Sequence, residues 1–198
     1  EKYDIPNDVS TVSLSRFPDV FTVHKAPEDE DQITADVLSA AKIAVDAFVA
    51  MRETEGEKMK EDILSRANTI LSVVGEIEER SPQTVAEYEQ RLMERIKQTL
   101  AENDVKVDEQ RVLTEVAVFA DKVAVAEETV RLRSHISQLR EFMNSSEAIG
   151  RKLDFLVQEI NREANTIGSK AQDVDIAKKV IAIKAEVEKI REQVQNIE

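Results

Sequence analysis

Gly150-Arg-Lys-Leu-Asp-Phe-Leu-Val-Gln-Glu-Ile-Asn-Arg-Glu-Ala-Asn-Thr-Ile-Gly-Ser-Lys170 is the stretch from which the fold is read. At about 100° per residue, Leu153, Leu156, Val157, Ile160, Ala164 and Ile167 fall on one face, the side of a helix that docks on a core. Asp154, Gln158, Asn161 and Asn165, spaced i, i+4, i+7 and i+11, fall in a second, narrow stripe of oxygen-bearing side chains, flanked by Arg151 and Arg162. Asp and Asn are poor interior helix formers because their side chains compete for the backbone. A stripe made of them suggests a site.

The rest of the chain extends this helical reading. Its 198 residues include four Gly, four Pro and 4% aromatics, too few for the turns and strands of a sheet protein. An all-α class follows, with long helices forming an antiparallel bundle or coiled-coil-like assembly. No Cys is present, which excludes disulfides and thiolate metal sites. No apolar run approaches the roughly 18 residues of a membrane span. The net charge of −13 argues against a general nucleic-acid binder. Yet residues 151–198 hold nine Lys/Arg and nine Asp/Glu, so the whole excess lies in residues 1–150. An anion is better placed on the C-terminal quarter.

Three regions are expected: an irregular leader over 1–27, a long-helix region over 28–149, and a C-terminal helical region over 150–198. Opening on Glu1 within a loop-like segment, the sequence is expected to lack an N-terminal part. Pro27 and the acidic residues after it predict a helix start; Ile33, Val37, Ala40, Ala44, Ala47, Phe48 and Met51 repeat at helical spacing within a proline-free run that predicts one very long helix to about Glu79. Gly56 inside this run marks either a kink or close packing, or a tolerated glycine on a solvated face. Ser81-Pro82 predicts a boundary and a new helix to about Ala101. A third helix is predicted from the cap Asp108 to about Asn144, with Val112, Val116, Phe119, Val123 and Val130 as its core stripe. Asp173 or Asp175 caps a last helix, whose Ile176, Val180, Ile183, Val187, Ile190, Val194 and Ile197 form a heptad seam. So much apolar surface implies a partner helix, from the same chain or another subunit.

Asp121, Glu128 and His135, spaced by seven, drift only about 20° per step and share one side of the third helix. Successive members lie about 10.5 Å apart, too far for these residues alone to share one metal ion, so each, if a ligand, is to be completed from another helix or subunit. The competing reading is that Glu127 and Glu128 pair with Arg131 at i+4 and i+3, and that His135 is partly buried at a helix contact.

Gly150 to Lys170, followed by Ile183-Lys-Ala-Glu-Val-Glu-Lys-Ile-Arg-Glu-Gln-Val-Gln-Asn-Ile-Glu198, closely resembles the bacterial YicC/YloC family of endoribonucleases. Arg52-Glu-Thr-Glu-Gly56, the Asp121 segment with Ala126-Glu-Glu128, and Arg131-Leu-Arg-Ser-His135 resemble it too. The resemblance covers essentially the whole chain, and family members carry a further N-terminal α/β domain. It implies an enzyme of the bacterial cytoplasm that cleaves single-stranded RNA with a divalent cation. It also implies a ring-like homo-oligomer, expected to be a hexamer, that encloses the RNA.

The stripes then acquire a chemistry, because Mg²⁺ and Mn²⁺ prefer Asp, Glu, Asn and Gln oxygens and Mn²⁺ also accepts His. Asp154, Glu159, Glu163 and His135 are the expected catalytic residues, and Asp154, Glu128, Glu159 and His135 the expected metal ligands. Arg151, Arg162 and Lys170 are expected to hold phosphate oxygens. The alternatives are a helical assembly module without RNA or metal affinity, and an RNA clamp or adaptor that binds without cutting. Activity without the further N-terminal domain is not expected to be assured.

Overall fold

The computed structural model describes residues 3, 6, 9–22, 24, 29–101, 108–145 and 147–197. The expected helix start at Pro27 and most of the 102–108 connector lie outside them. Among the described residues there are six helices and no strand, as an all-α reading requires. The chain divides into two compact units, Glu1–Ala50 and Met51–Glu198.

In the first unit, α1 (Thr11–Leu14) is a single turn whose Ser10 cap and Ser13 exchange side-chain bonds with each other's backbone N–H. Helix α2 (Glu30–Ala101) begins here, with the Asp29 carboxylate accepting from the Gln32 N–H at 3.1 Å. The helical period of Ile33, Val37 and Phe48 is as read, but all three side chains are exposed.

Helix α2 continues into the second unit without interruption, passing through Gly56 and Pro82. The expected boundary at Ser81-Pro82 is therefore absent. Proline removes one N–H and crowds the preceding turn, but tertiary bonds hold this stretch helical. Arg80 reaches Asp173 at 2.7 Å and Glu78 reaches Arg133 at 2.7 Å, and within the helix itself the Thr84 hydroxyl donates to the Arg80 carbonyl at 3.3 Å. A Cβ at Gly56 would meet nothing within 4 Å, so this is the tolerated glycine rather than a site of close packing.

The expected single third helix is two: α3 (Glu109–Val123), capped by Asp108, and α4 (Ala126–Phe142). The chain turns at Ala124, whose backbone is extended, and the break has a packing cause. Val123 and Val125 are both buried. Helix α3 lies along the C-terminal part of α2, where Phe119 stacks on Tyr88 with ring centroids 3.7 Å apart, whereas α4 enters the main core. Val130, expected in the core stripe, is instead 65% exposed.

Helix α5 (Gly150–Lys170) occupies the expected range, whereas α6 (Val174–Val194) stops short of Ile197, the last residue of the expected seam; there the chain turns, with the Ile197 N–H donating to the Val194 carbonyl at 3.0 Å, and Ile197 packs on the core from outside the helix. The seam from Ile176 to Val194 is buried against Leu132, Ile136 and Leu139 of α4, the apolar face of α5, and Ile63, Ala67, Ile70, Val74 and Ile77 of α2. Paired residues run in opposite directions along each neighbouring couple. Arg66 meets Glu186 and Arg80 meets Asp173 between α2 and α6; Asn68 meets Arg140 and Glu78 meets Arg133 between α2 and α4. Arg131 meets Glu163 and Glu128 meets Lys170 between α4 and α5. The second unit is thus an antiparallel four-helix bundle of α2, α4, α5 and α6.

Asp173, rather than Asp175, caps α6, accepting from the N–H groups of Asp175 and Ile176 at 2.9 Å. Burial pushes its carboxyl up, but the Arg80 guanidinium and those backbone N–H groups outweigh burial and hold it below the usual Asp range. A carboxyl lowered by folding stabilises the native state above its unfolded pKa, and that contribution is lost as pH falls through the folded value. Asp173→Asn keeps a good cap residue and removes the charge. Urea unfolding is expected to find it less stable than wild type at pH 7, with the gap closing below about pH 4.

Candidate functional site

The antiparallel register of α4 and α5 decides which polar residues meet. Glu128, Arg131 and His135, at i, i+3 and i+7, share one side of α4, and Glu159 and Glu163, at i and i+4, share one side of α5. Pairing Arg131 with Glu163 brings His135 level with Glu159. His135, Glu159 and Glu163 each bring a possible ligand atom within 4.8 Å of the other two, the metal-competent cluster found among the described residues.

Burial distinguishes the three carboxylates around this point. The Glu163 side chain is 6% exposed; its Oε1 accepts from Arg131 Nε at 3.0 Å, and its Oε2 is buried without a hydrogen-bond partner among the described residues. His135 Nδ1 is likewise buried and unpartnered. Glu159 is 23% exposed, and its one described bond is a long one, 3.4 Å from Arg162. Glu128 is 4% exposed, with Oε1 accepting from Lys170 Nζ at 2.9 Å and Arg131 Nη2 at 3.2 Å and Oε2 unpartnered. Burial pushes the Glu128 carboxyl up, but the Lys170 ammonium, its own backbone N–H and Arg131 outweigh that and hold it below the usual Glu range. The carboxylate is charged at neutral pH.

Buried polar atoms without partners are costly and uncommon. Here three of them, on Glu128, His135 and Glu163, lie on facing sides of two helices. An imidazole and two carboxylates form a donor set that suits Mn²⁺ or Mg²⁺ and leaves coordination positions for water or phosphate.

The expected site residues therefore separate into groups. His135, Glu159 and Glu163 converge. Glu128 belongs to the adjoining ion-pair network, and the expected Glu127 and Glu128 pairs with Arg131 are both present, the former at 3.5 Å. Asp154 lies elsewhere: its Oδ2 accepts from Gln158 at 2.7 Å, and it lines a cavity with Arg151, Val194 and Ile197. Five residues of helix rotate Asp154 about 140° from Glu159, which places them on different faces. Gln158, Asn161 and Asn165 are exposed and line a shallow groove with Arg162, Thr166 and Ser169. Arg162 is 73% exposed and adjoins both groove and cluster. The Lys170 ammonium, expected on phosphate, is turned inward to Glu128 and the Ala124 carbonyl, 2.9 Å from each. The break between α3 and α4 leaves Asp121 on another helix, so the row spaced by seven does not persist. The contact that the sequence did not reveal is Arg131 to Glu163, 32 residues apart, for which only Arg131's place between Glu128 and His135 was a signal.

The family model described as the C-terminal part of YicC-like endoribonucleases matches residues 77–198, and that of their N-terminal region matches residues 1–61. A protein of Clostridioides difficile named probable endoribonuclease YicC is 43% identical over 197 residues, covering 100% of this chain and 67% of the relative. Its namesake from Haemophilus influenzae is 34% identical over 191 residues, covering 96% of this chain and 64% of the relative. The chain thus spans about two thirds of the length of these curated relatives.

Proposed function

Because the chain belongs to the YicC-like endoribonuclease family, we propose that it serves metal-dependent cleavage of single-stranded RNA, with His135, Glu159 and Glu163 holding the divalent cation. The observation that carries this reading is the convergence of these three side chains within 4.8 Å, two of them with a buried atom that finds no hydrogen-bond partner among the described residues. Mn²⁺ or Mg²⁺ bound there would supply positive charge for the phosphodiester and make water more acidic. Glu163 is held by Arg131 and serves as a fixed ligand. Glu159, the more open carboxylate, would hold the cation by one oxygen and take a proton from water on the other Oε.

Arg162 stands at i+3 from Glu159, on the solvent side, and offers its guanidinium to a phosphate oxygen. The amides of Gln158, Asn161 and Asn165 carry both donors and acceptors, which suits the base edges of an unpaired strand. Homo-oligomeric assembly, as a hexamer, fits the exposed Ile33, Val37 and Phe48 of the first unit, and a bacterial cytoplasmic setting fits an RNA substrate. Among the described residues, no helix is long and apolar enough to cross a membrane.

The test is a labelled single-stranded RNA incubated with the protein and Mn²⁺. Cleavage is expected, to be abolished by a chelator and restored by excess Mn²⁺. Cleavage that persists in chelator would remove the metal from the reading. RNA binding without cleavage under any divalent ion would favour the clamp, and neither binding nor cleavage would leave the assembly module.

A further inference from the structure

Around the three proposed ligands lies a second layer of charge that the reaction does not use. The Arg131 guanidinium is held by three carboxylates at once: Glu163 through Nε at 3.0 Å, Glu128 through Nη2 at 3.2 Å, and Glu127 through Nη1 at 3.5 Å. Glu128 is in turn held by Lys170, whose ammonium also caps the Ala124 carbonyl at the break before α4. The chain of contacts runs from that break, through Lys170, Glu128 and Arg131, to one oxygen of Glu163. The other oxygen of Glu163 is the buried, unpartnered one.

The geometry points to Arg131 as the positioning residue of the metal centre, fixing the Glu163 carboxylate by one oxygen so that the other is presented beside His135 and Glu159. Glu128 is then the anchor of Arg131 and not a ligand. This inference rests on the metal reading of the same site. Its physical basis is that groups hydrogen-bonded to a ligating carboxylate fix its orientation and raise metal affinity. A planar fork can hold Glu163 and Glu128 together in one geometry, whereas a lysine ammonium, a compact point charge on a flexible stem, cannot.

The sign of the effect separates positioning from electrostatics. Arg131 is a cation close to a proposed cation site. If charge were all that mattered, Arg131→Gln would tighten metal binding and Arg131→Lys would leave it unchanged. If Arg131 positions Glu163, both replacements weaken binding.

The experiment is titration of the metal-free protein with Mn²⁺, read by the electron paramagnetic resonance of the free ion. The melting midpoint and helical circular dichroism of each metal-free variant are recorded alongside. Arg131→Gln is expected to raise the Mn²⁺ dissociation constant by about 10–100-fold, and Arg131→Lys to raise it by a smaller factor while retaining wild-type helix content. The lysine variant carries the test should the glutamine variant fail to fold with its carboxylates uncompensated. Wild-type affinity in a folded Arg131→Lys, or tighter binding in Arg131→Gln, overturns the inference and leaves the metal reading intact. Absence of Mn²⁺ binding by the wild-type protein overturns both.

Discussion

Glu163→Gln is expected to lower Mn²⁺-dependent cleavage of single-stranded RNA by at least about 100-fold. Loss of a group that merely orients a ligand commonly costs about 10–100-fold, and here a proposed ligand itself is lost. The replacement is nearly isosteric, and its amide oxygen can still accept from Arg131 Nε, so the contact at 3.0 Å is retained. It removes a negative charge and turns an N–H donor toward a place where a lone pair has to meet a cation. The melting midpoint of the metal-free variant is expected to change little, while the stabilisation that Mn²⁺ gives to wild type is expected to disappear. Asp154→Asn is expected to have a much smaller effect on cleavage, because Asp154 bonds Gln158 on another face of α5. Equal losses in the two variants would return the stripe to the centre of the site. An unimpaired Glu163→Gln would remove the proposed centre.

The second large effect is on stability. Leu132 is fully buried in the bundle core, and Leu132→Ala is expected to destabilise the protein by about 2–5 kcal/mol through lost transfer energy and the cavity left behind. Urea unfolding followed by circular dichroism measures it, and each kcal/mol should lower the melting midpoint by about 2–4 °C in a unit of this size. Val130→Ala, two residues away on the same helix but on a 65% exposed side chain, should fall within about 0.5 kcal/mol of wild type. The sequence pattern favoured Val130 as core, whereas the break before α4 rotates Leu132 inward, so this pair tests the break itself. Similar costs at the two positions would contradict the register of α4.

The difference between these residues shows what kind of information the amino-acid pattern carried. The seam from Ile176 to Val194 and the apolar face from Leu153 to Ile167 are repeats within one helix, and both are buried where the pattern places them. The third-helix stripe failed at Val130 because it extrapolated one helical phase across Ala124, where burial of Val123 and Val125 changes the direction of the chain. Ser81-Pro82 failed in the opposite sense. Its local signal for a helix start was sound, but ion pairs from Glu78 to Arg133 and from Arg80 to Asp173 hold the helix through it.

The candidate site divides in the same way. The family resemblance, joined to residue chemistry, named Glu159, Glu163 and His135, together with Asp154 and Glu128, as carriers of metal or proton chemistry. It could not group them, because every residue on the outward half of a helix satisfies the same periodicity. The sequence by itself determined the helical class, the extent of α5, the start of α6 and the set of chemically capable side chains, since these depend on contacts within about one turn of helix. The tertiary structure decided that α2 is unbroken at Pro82, that α3 and α4 are separate, and that His135 meets Glu159 and Glu163 while Asp154 does not. Those outcomes depend on contacts between helices: the ion pairs from α2 to α4 and α6 around Pro82, the burial of Val123 and Val125 at the α3–α4 break, and, at the site, the antiparallel register of α4 against α5, which is set by the packing of whole helix faces rather than by any neighbouring residue.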